Sequence, residues 1–333
     1  MNSIRSSGYR MVRRTTRRRQ ERADGEVGYV LPVMKHSGCT SHDVVAQLRQ
    51  LLGIRKIGHS GTLDPFATGL LVCCVGRATK LSNYLMDLDK TYEGDLKLGV
   101  RTHTGDRTGD VIAEAVVPHV TIEQCREAAG RFEGEQLQIP PMMSALKYKG
   151  RRLYELAREG MEVERTPRKV KVHEFHILEI LDHLIRFRVR CGRGTYVRTL
   201  VEDFGRALGT EATVEELART AIGGFTLEGA CDQAEIRAGD LDAVGKMRVE
   251  MAEALGHLRH LTLTGLWIRR VRQGTPPPLS VFELNGDPPK PGEVLRLLGT
   301  EGSLVALGRI EPTLGPADRP WHESGRMVIE RVL

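Results

Sequence analysis

The residues best placed for chemistry are Gly58-His59-Ser60-Gly61-Thr62-Leu63-Asp64-Pro65-Phe66-Ala67-Thr68-Gly69. Three glycines and one proline within these twelve residues hold a loop in a defined, close-packed shape. A single carboxylate, Asp64, sits in its middle, and Pro65 fixes the backbone behind it. The apolar run 70–75 that follows enters the core as a buried strand or helix. A rigid loop offering one carboxylate beside apolar walls is how a nucleophile or base is preorganised. From the loop alone, an Asp-Pro turn whose carboxylate bonds only to nearby backbone is the stronger reading.

The stretch resembles the catalytic motif Gly-His-x-Gly-Thr-Leu-Asp-Pro of the TruB family of pseudouridine synthases, and the match is complete. Further along, Lys90-Thr91-Tyr92 resembles the family's second motif, and Gly192-Arg193-Gly194-Thr195-Tyr196-Val197-Arg198-Thr199-Leu200 its third. Ile139-Pro140-Pro141-Met142-Met143-Ser144-Ala145-Leu146-Lys147-Tyr148 and Leu153-Tyr154-Glu155-Leu156-Ala157-Arg158 look like its RNA-gripping insertion and the segment after it. Gly302-Ser303-Leu304-Val305-Ala306-Leu307-Gly308 looks like part of a PUA domain, a small RNA-binding barrel. Only the first thirty residues or so fall outside the resemblance.

The resemblance implies an α+β protein with the pseudouridine synthase fold, a mixed, mainly antiparallel sheet flanked by helices, plus a small C-terminal PUA-like β-barrel. It implies isomerisation of a uridine to its C-glycoside, with Asp64 as the essential carboxylate, either attacking C1′ or abstracting a sugar proton. Tyr92 would stack on the flipped base, returning about 1–3 kcal/mol of the unstacking cost. Arg198 would pair with Asp64, favouring its ionised form and aiming it at the sugar. Tyr196 and His59 would lie against the nucleotide, and Leu200 and Lys80 count with them among the expected RNA contacts. The chemistry calls for no metal and no organic cofactor. Transfer RNA is the implied partner, at the TΨC-loop uridine. The alternative is ribosomal RNA or a ribosome-assembly particle, served by an RNA-folding factor that does not need its catalytic site.

Three positions depart from the family pattern. Lys35-His36-Ser37-Gly38 replaces the usual Lys-Pro-x-Gly and is expected to loosen an N-terminal turn. Met143 stands where an aromatic is usual, putting one packing contact in doubt, and Ser60 replaces a threonine.

These residues need elements to position them. Segment 43–52 carries Val44, Val45, Leu48, Leu51 and Leu52 at helical spacing, with Thr40 or Ser41 to cap it and Gly53 to end it. Segment 121–132 repeats the pattern, with Thr121 and Gln124 placed as a capping box. Segment 184–191 alternates instead, Ile185, Phe187, Val189 and Cys191 on one face and Arg186, Arg188 and Arg190 on the other. That arginine face, with Lys147, Lys149, Arg151 and Arg152, is expected to meet phosphates. Segment 198–208 returns to helix, closed by Gly209. Three divisions follow: a basic extension over 1–25, a catalytic domain over 26–258 with an insertion near 139–160, and a small β domain over 259–333.

The net charge of +6 on 333 residues favours a polyanionic partner. No apolar run approaches the ~18–20 residues of a spanning helix, which excludes a helical membrane protein, and nothing points to an obligate protein partner. Before Gly25, eight arginines gather among serines and threonines. That is the composition of a mitochondrial or other organellar transit peptide, of a basic RNA-binding tail, or of a solvated extension. The six cysteines form no Cys-x-x-Cys pair, and the adjacent Cys73 and Cys74 would point to opposite faces of a strand. His173 and His176, three apart on a strand, would also face opposite ways.

Overall fold

The apolar run after the aspartate loop is a strand, Thr68–Gly76, buried from Gly69 onward. It lies inside a sheet covered on both faces, which is why it lacks the alternation of a half-exposed strand. Cys73 packs with Leu31, Val44 and Leu48 on one face, and Cys74 with Val30, Leu81 and Leu85 on the other. The computed structural model describes residues 27–282, 289–311 and 326–333. The arginine-rich extension and the turn residues 285–288 lie outside the described residues.

Among the described residues the large sheet has eleven strands. An edge strand, Cys231–Asp232, runs parallel to Gly28–Lys35, and from Gly28–Lys35 the path continues through Thr68–Gly76, Ala212–Ile222, Lys90–Leu98, Leu184–Cys191 and Arg168–Leu181 to Gly134–Gln138. Neighbours on this path are antiparallel, except that Thr68–Gly76 and Ala212–Ile222 run parallel. At that junction Gly69 has φ +105°, and a Cβ on it would lie 2.3 Å from the Arg219 carbonyl oxygen. Only glycine permits this approach, which brings Arg219 beside the end of the aspartate loop.

The flanking helices follow the local signals. Helix Ser41–Leu52 starts at Thr40, whose side chain closes a capping box with Asp43, and ends on Gly53 at φ 66°. Helix Ile122–Gly130 carries the Thr121/Gln124 box. Helix Val197–Ala207 starts directly after Tyr196, so the third motif straddles a loop and a helix N-terminus. On strand Leu184–Cys191, Ile185, Phe187, Val189 and Cys191 are all buried, as the alternation requires.

The C-terminal strands His260–Thr262, Val294–Leu298, Leu304–Glu311 and Arg326–Val332 form a separate four-stranded sheet around Leu263, Leu295, Leu297 and Ile310. Leu304 and Leu307 turn the other way, into the cluster holding Val30, Leu70 and Leu85. Tyr84 donates to Glu330 at 2.5 Å and Lys80 to the Val332 carbonyl at 2.6 Å, adding polar ties between the two sheets.

Candidate active site

The aspartate loop is gripped from both sides by buried cations that bond to its carbonyls. Arg219, 1% exposed, donates Nη2–H to Gly61 O at 3.2 Å, Nη1–H to Thr62 O at 3.3 Å and Nε–H to Leu70 O at 2.7 Å. Lys35, fully buried, donates to the carbonyls of His36, Cys39 and, at 3.3 Å, Pro65. The turn with the departed sequence adds Gly38 N–H to Pro65 O at 2.9 Å and Ser37 Oγ to Phe66 O at 2.8 Å. The expected loosening is therefore absent: a serine hydroxyl bonds to the loop from within this turn.

Held in this way, Asp64 faces Arg198 from the first turn of helix Val197–Ala207. Nε lies 2.9 Å from Oδ2 and Nη2 donates to Oδ1 at 3.3 Å, a two-point contact that fixes the carboxylate plane. Arg198 is itself fixed by Thr104 O at 2.5 Å and Met143 O at 2.8 Å, with Asp106 Oδ2 3.8 Å from Nη1. Met143 therefore acts here through its backbone, and a methionine in place of an aromatic side chain leaves this contact intact.

A cleft of about 240 Å3 opens beside the pair, walled by Asp64, Tyr92, Tyr196, Arg198, Leu217 and Arg219 among others. That is below the ~300–1,000 Å3 of sites for drug-sized ligands and suits one nucleotide unit. Tyr92 stands in register with Arg219 on the neighbouring strand, its Oη 3.5 Å from Nη1. Burial pushes the Tyr92 phenol up, with Arg219 opposing. A larger hollow of about 670 Å3 is walled by Arg101, Glu202, Asp203 and Arg206, but neither Asp64 nor Tyr92 reaches it. The smaller cleft holds the carboxylate, the aromatic ring and the arginine together, and is the candidate site.

Sequence comparison identifies the architecture. A family model described as TruB family pseudouridylate synthase (N terminal domain) matches residues 49–197. The tRNA pseudouridine synthase B of Moorella thermoacetica is 43% identical over 291 residues, covering 84% of this chain and 93% of the relative. The chain belongs to the TruB family of pseudouridine synthases. The tRNA pseudouridine synthase B of Symbiobacterium thermophilum is 44% identical over 264 residues, 78% of this chain and 86% of the relative. Among solved structures, a Cbf5-Nop10-Gar1 complex superimposes with a TM-score of 0.71 at 26% identity, over 91% of this chain and 84% of that one. The pseudouridine synthase fold, expected from the motifs, is thereby shown.

Within this TruB-family site, Asp64, Tyr92, Tyr196 and Arg198 come together on one cleft. Other nominated residues do not reach it. His59 is edge-on to His42, with ring centroids 5.9 Å apart, and its buried Nδ1 has no hydrogen-bond partner among the described residues. Burial, then the nearby His42 and Arg219, push the His59 imidazole down to about 4, so it is neutral at pH 7. Leu200 is 1% exposed in the core formed with Leu96, Phe175 and Phe204, because its position on the helix points inward. Lys80 is engaged at the C-terminal strand, as described above.

The arginine face is also not a bare basic surface. Arg186 pairs with Asp95 at 3.0 Å, Arg188 with Glu93 at 2.6 Å, and Arg190 with Glu174 at 2.7 Å and Asp89 at 3.3 Å. Those carboxylates come from elements remote in sequence, so the alternation of one strand cannot reveal them. Lys147 begins a short exposed hairpin, Lys147–Tyr148 with Arg151–Arg152, that continues from the Ser144–Ala145 wall of the cleft. Of the two histidines on strand Arg168–Leu181, His173 meets Asp89 at 3.0 Å and His176 meets Glu174 at 3.6 Å.

Sequence reasoning missed Arg219, Lys35, Asp106 and Leu217. Arg219 did leave a signal: in Leu217-Ala218-Arg219-Thr220, the arginine shares the inward parity of Leu217. A cation at an inward strand position has to find acceptors inside the protein.

Proposed function

We propose that this pseudouridine synthase acts on the T-arm (TΨC) loop of transfer RNA, with Asp64 as its reacting carboxylate and Tyr92 as the platform for the flipped uracil. The observation that carries this reading is the Arg198-fixed Asp64 carboxylate opening onto a cleft of one-nucleotide size that Tyr92 also walls. The relatives named tRNA pseudouridine synthase B support the choice of RNA.

A target uridine leaves its stack, at a cost of a few kcal/mol, and enters beside Tyr92. Arg198 keeps the plane of the Asp64 carboxylate fixed while the N1–C1′ bond breaks. Asp64 takes up the electron deficiency at the sugar, as an ester at C1′ or by removing the C2′ proton. The ring turns and rejoins through C5. The C5 proton leaves to a base and N1 takes up a proton, so no net oxidation occurs and no redox cofactor enters.

Phosphates are met by the hairpin carrying Lys147, Lys149, Arg151 and Arg152, and by the C-terminal sheet acting as a PUA-like RNA-binding module. Helix Gly265–Arg272 supports the latter, placing Arg269, Arg270 and Arg272 in its last turn.

Carbodiimide treatment and primer extension on a transfer RNA transcript test the reading. A single new stop at the T-loop uridine is expected. A stop at another uridine, or none with bound RNA, overturns the proposed substrate.

A further inference from the structure

Two buried cations on the cleft have no carboxylate of their own. Lys90 is 6% exposed and Arg219 is 1% exposed, and both wall the cleft. Among the described residues neither has a carboxylate at ion-pair distance, and Asp64 is committed to Arg198. A charge buried this far is costly to hold unless its surroundings compensate it.

Their donors are not used up. An ammonium has three N–H groups and a guanidinium has five. The Lys90 ammonium donates to Leu88 O at 2.5 Å and to Met86 O. Arg219 donates to Leu70 O, Thr62 O and Gly61 O and, at 3.5 Å, to Tyr92 Oη. One N–H on each therefore lacks a protein acceptor among the described residues.

The placement of the two is also specific. Lys90 and Tyr92 are two apart on one strand and share a face. Arg219 is the cross-strand partner of Tyr92. The free donors thus flank the aromatic ring, and their charges repel one another: burial, then Arg219, push the Lys90 ammonium down to about 8. The arrangement is suited to an anion lying flat against Tyr92.

We propose that Lys90 and Arg219 form the seat for the uracil ring while it is detached from ribose as an anion. This rests on the reading of the preceding subsection. When N1–C1′ breaks, its electron pair stays on the ring, and the negative charge spreads over N1 and the ring carbonyl oxygens. The two N–H donors accept that charge and keep the ring from leaving. When C5 attacks C1′, the electron pair enters the new C–C bond and leaves the ring neutral, while the Asp64–C1′ ester bond breaks or, on the other route, Asp64 returns the C2′ proton. The C5 proton then departs to a base, its electron pair passes to N1, and N1 regains a proton. The cations are then uncompensated again, which favours release of product. A phosphate would satisfy the same donors, but it would not lie flat against an aromatic ring.

The test compares Lys90→Met and Arg219→Lys with wild type in single turnover, on transcripts carrying uridine or 5-fluorouridine at the target. Loss of the parent nucleoside is read after nuclease digestion. Fluorine withdraws electrons and makes the departing anion less demanding. Each variant is expected to lose about 100-fold on uridine, the effect of one well-placed donor to developing charge, and about tenfold less on 5-fluorouridine, at unchanged RNA affinity. Equal losses on both substrates overturn the proposal, as does weakened RNA binding with the rate retained, which would assign the cations to a phosphate. Wild type forming no pseudouridine would count against the synthase reading itself. Thermal melting checks each fold, and if Lys90→Met does not fold, Arg219→Lys decides by the same comparison.

Discussion

Arg198 and Asp64 form an unequal pair: the arginine side chain is 4% exposed and the aspartate 34%. The cation is locked by the Thr104 and Met143 carbonyls, while the anion keeps one edge toward the cleft. Here the buried member is the fixed reference, and the open member is the one the proposed function sets against substrate.

Arg198→Lys keeps the charge but loses the fork. One ammonium cannot serve both Asp64 oxygens and two carbonyls, so the carboxylate should lose its fixed plane. A fall of about 100-fold or more in single-turnover rate is expected, as for loss of a preorganised donor, with RNA affinity within a few-fold of wild type. Retention of rate would show that orientation by Arg198 does not matter.

Gly69→Ala should unfold the site rather than tune it. The new Cβ would meet the Arg219 carbonyl, and φ +105° is strained for any L side chain. A loss of at least about 2 kcal/mol in urea denaturation is expected. An unchanged midpoint would mean that the two parallel strands can move apart freely.

His59 gives a pH signature. Its imidazole is held at about 4 by burial and by His42 and Arg219, against about 6.5 in an unfolded chain. Between these values the unfolded state binds a proton that the folded state does not, so this stability is present above pH 6.5 and is lost as pH falls toward 4. The denaturation midpoint of wild type should therefore drop more steeply over that window than that of His59→Asn. Parallel curves would refute the buried neutral histidine.

Salt dependence separates the two basic surfaces. Arg188 already faces Glu93, so Arg188→Gln should leave the slope of log affinity against log salt unchanged. Lys147→Gln or Lys149→Gln should each reduce that slope by about one. The reverse outcome would restore the strand face as the RNA contact.

What the sequence made legible divides along physical lines. Signals local to a few residues survived folding: the cap at Thr40, the Thr121 box and the alternation of Ile185 to Cys191. The gathering of Asp64, Tyr92, Tyr196 and Arg198 was legible only through the resemblance of three separate motifs to one family. What depended on partners far away in the chain was hidden. The acids beside Arg186, Arg188 and Arg190 come from neighbouring strands. Leu200 and Arg198 share one motif, yet the helix turns the first into the core and the second toward the cleft. Lys35 looked ordinary because the Pro65 carbonyl it holds is folded against it from elsewhere in the chain, and Arg219 showed only its inward parity because its acceptors Gly61, Thr62 and Leu70 lie about 150 residues away.

The central claim is that Asp64 carries the isomerisation. Tritium release from a transfer RNA transcript labelled at uracil C5, measured for wild type and Asp64→Asn at matched RNA occupancy, tests it most directly. Stoichiometric release by wild type and none by Asp64→Asn, with RNA binding retained, is the predicted result. Release by Asp64→Asn at the wild-type rate would contradict the account and move the chemistry to another residue of the cleft.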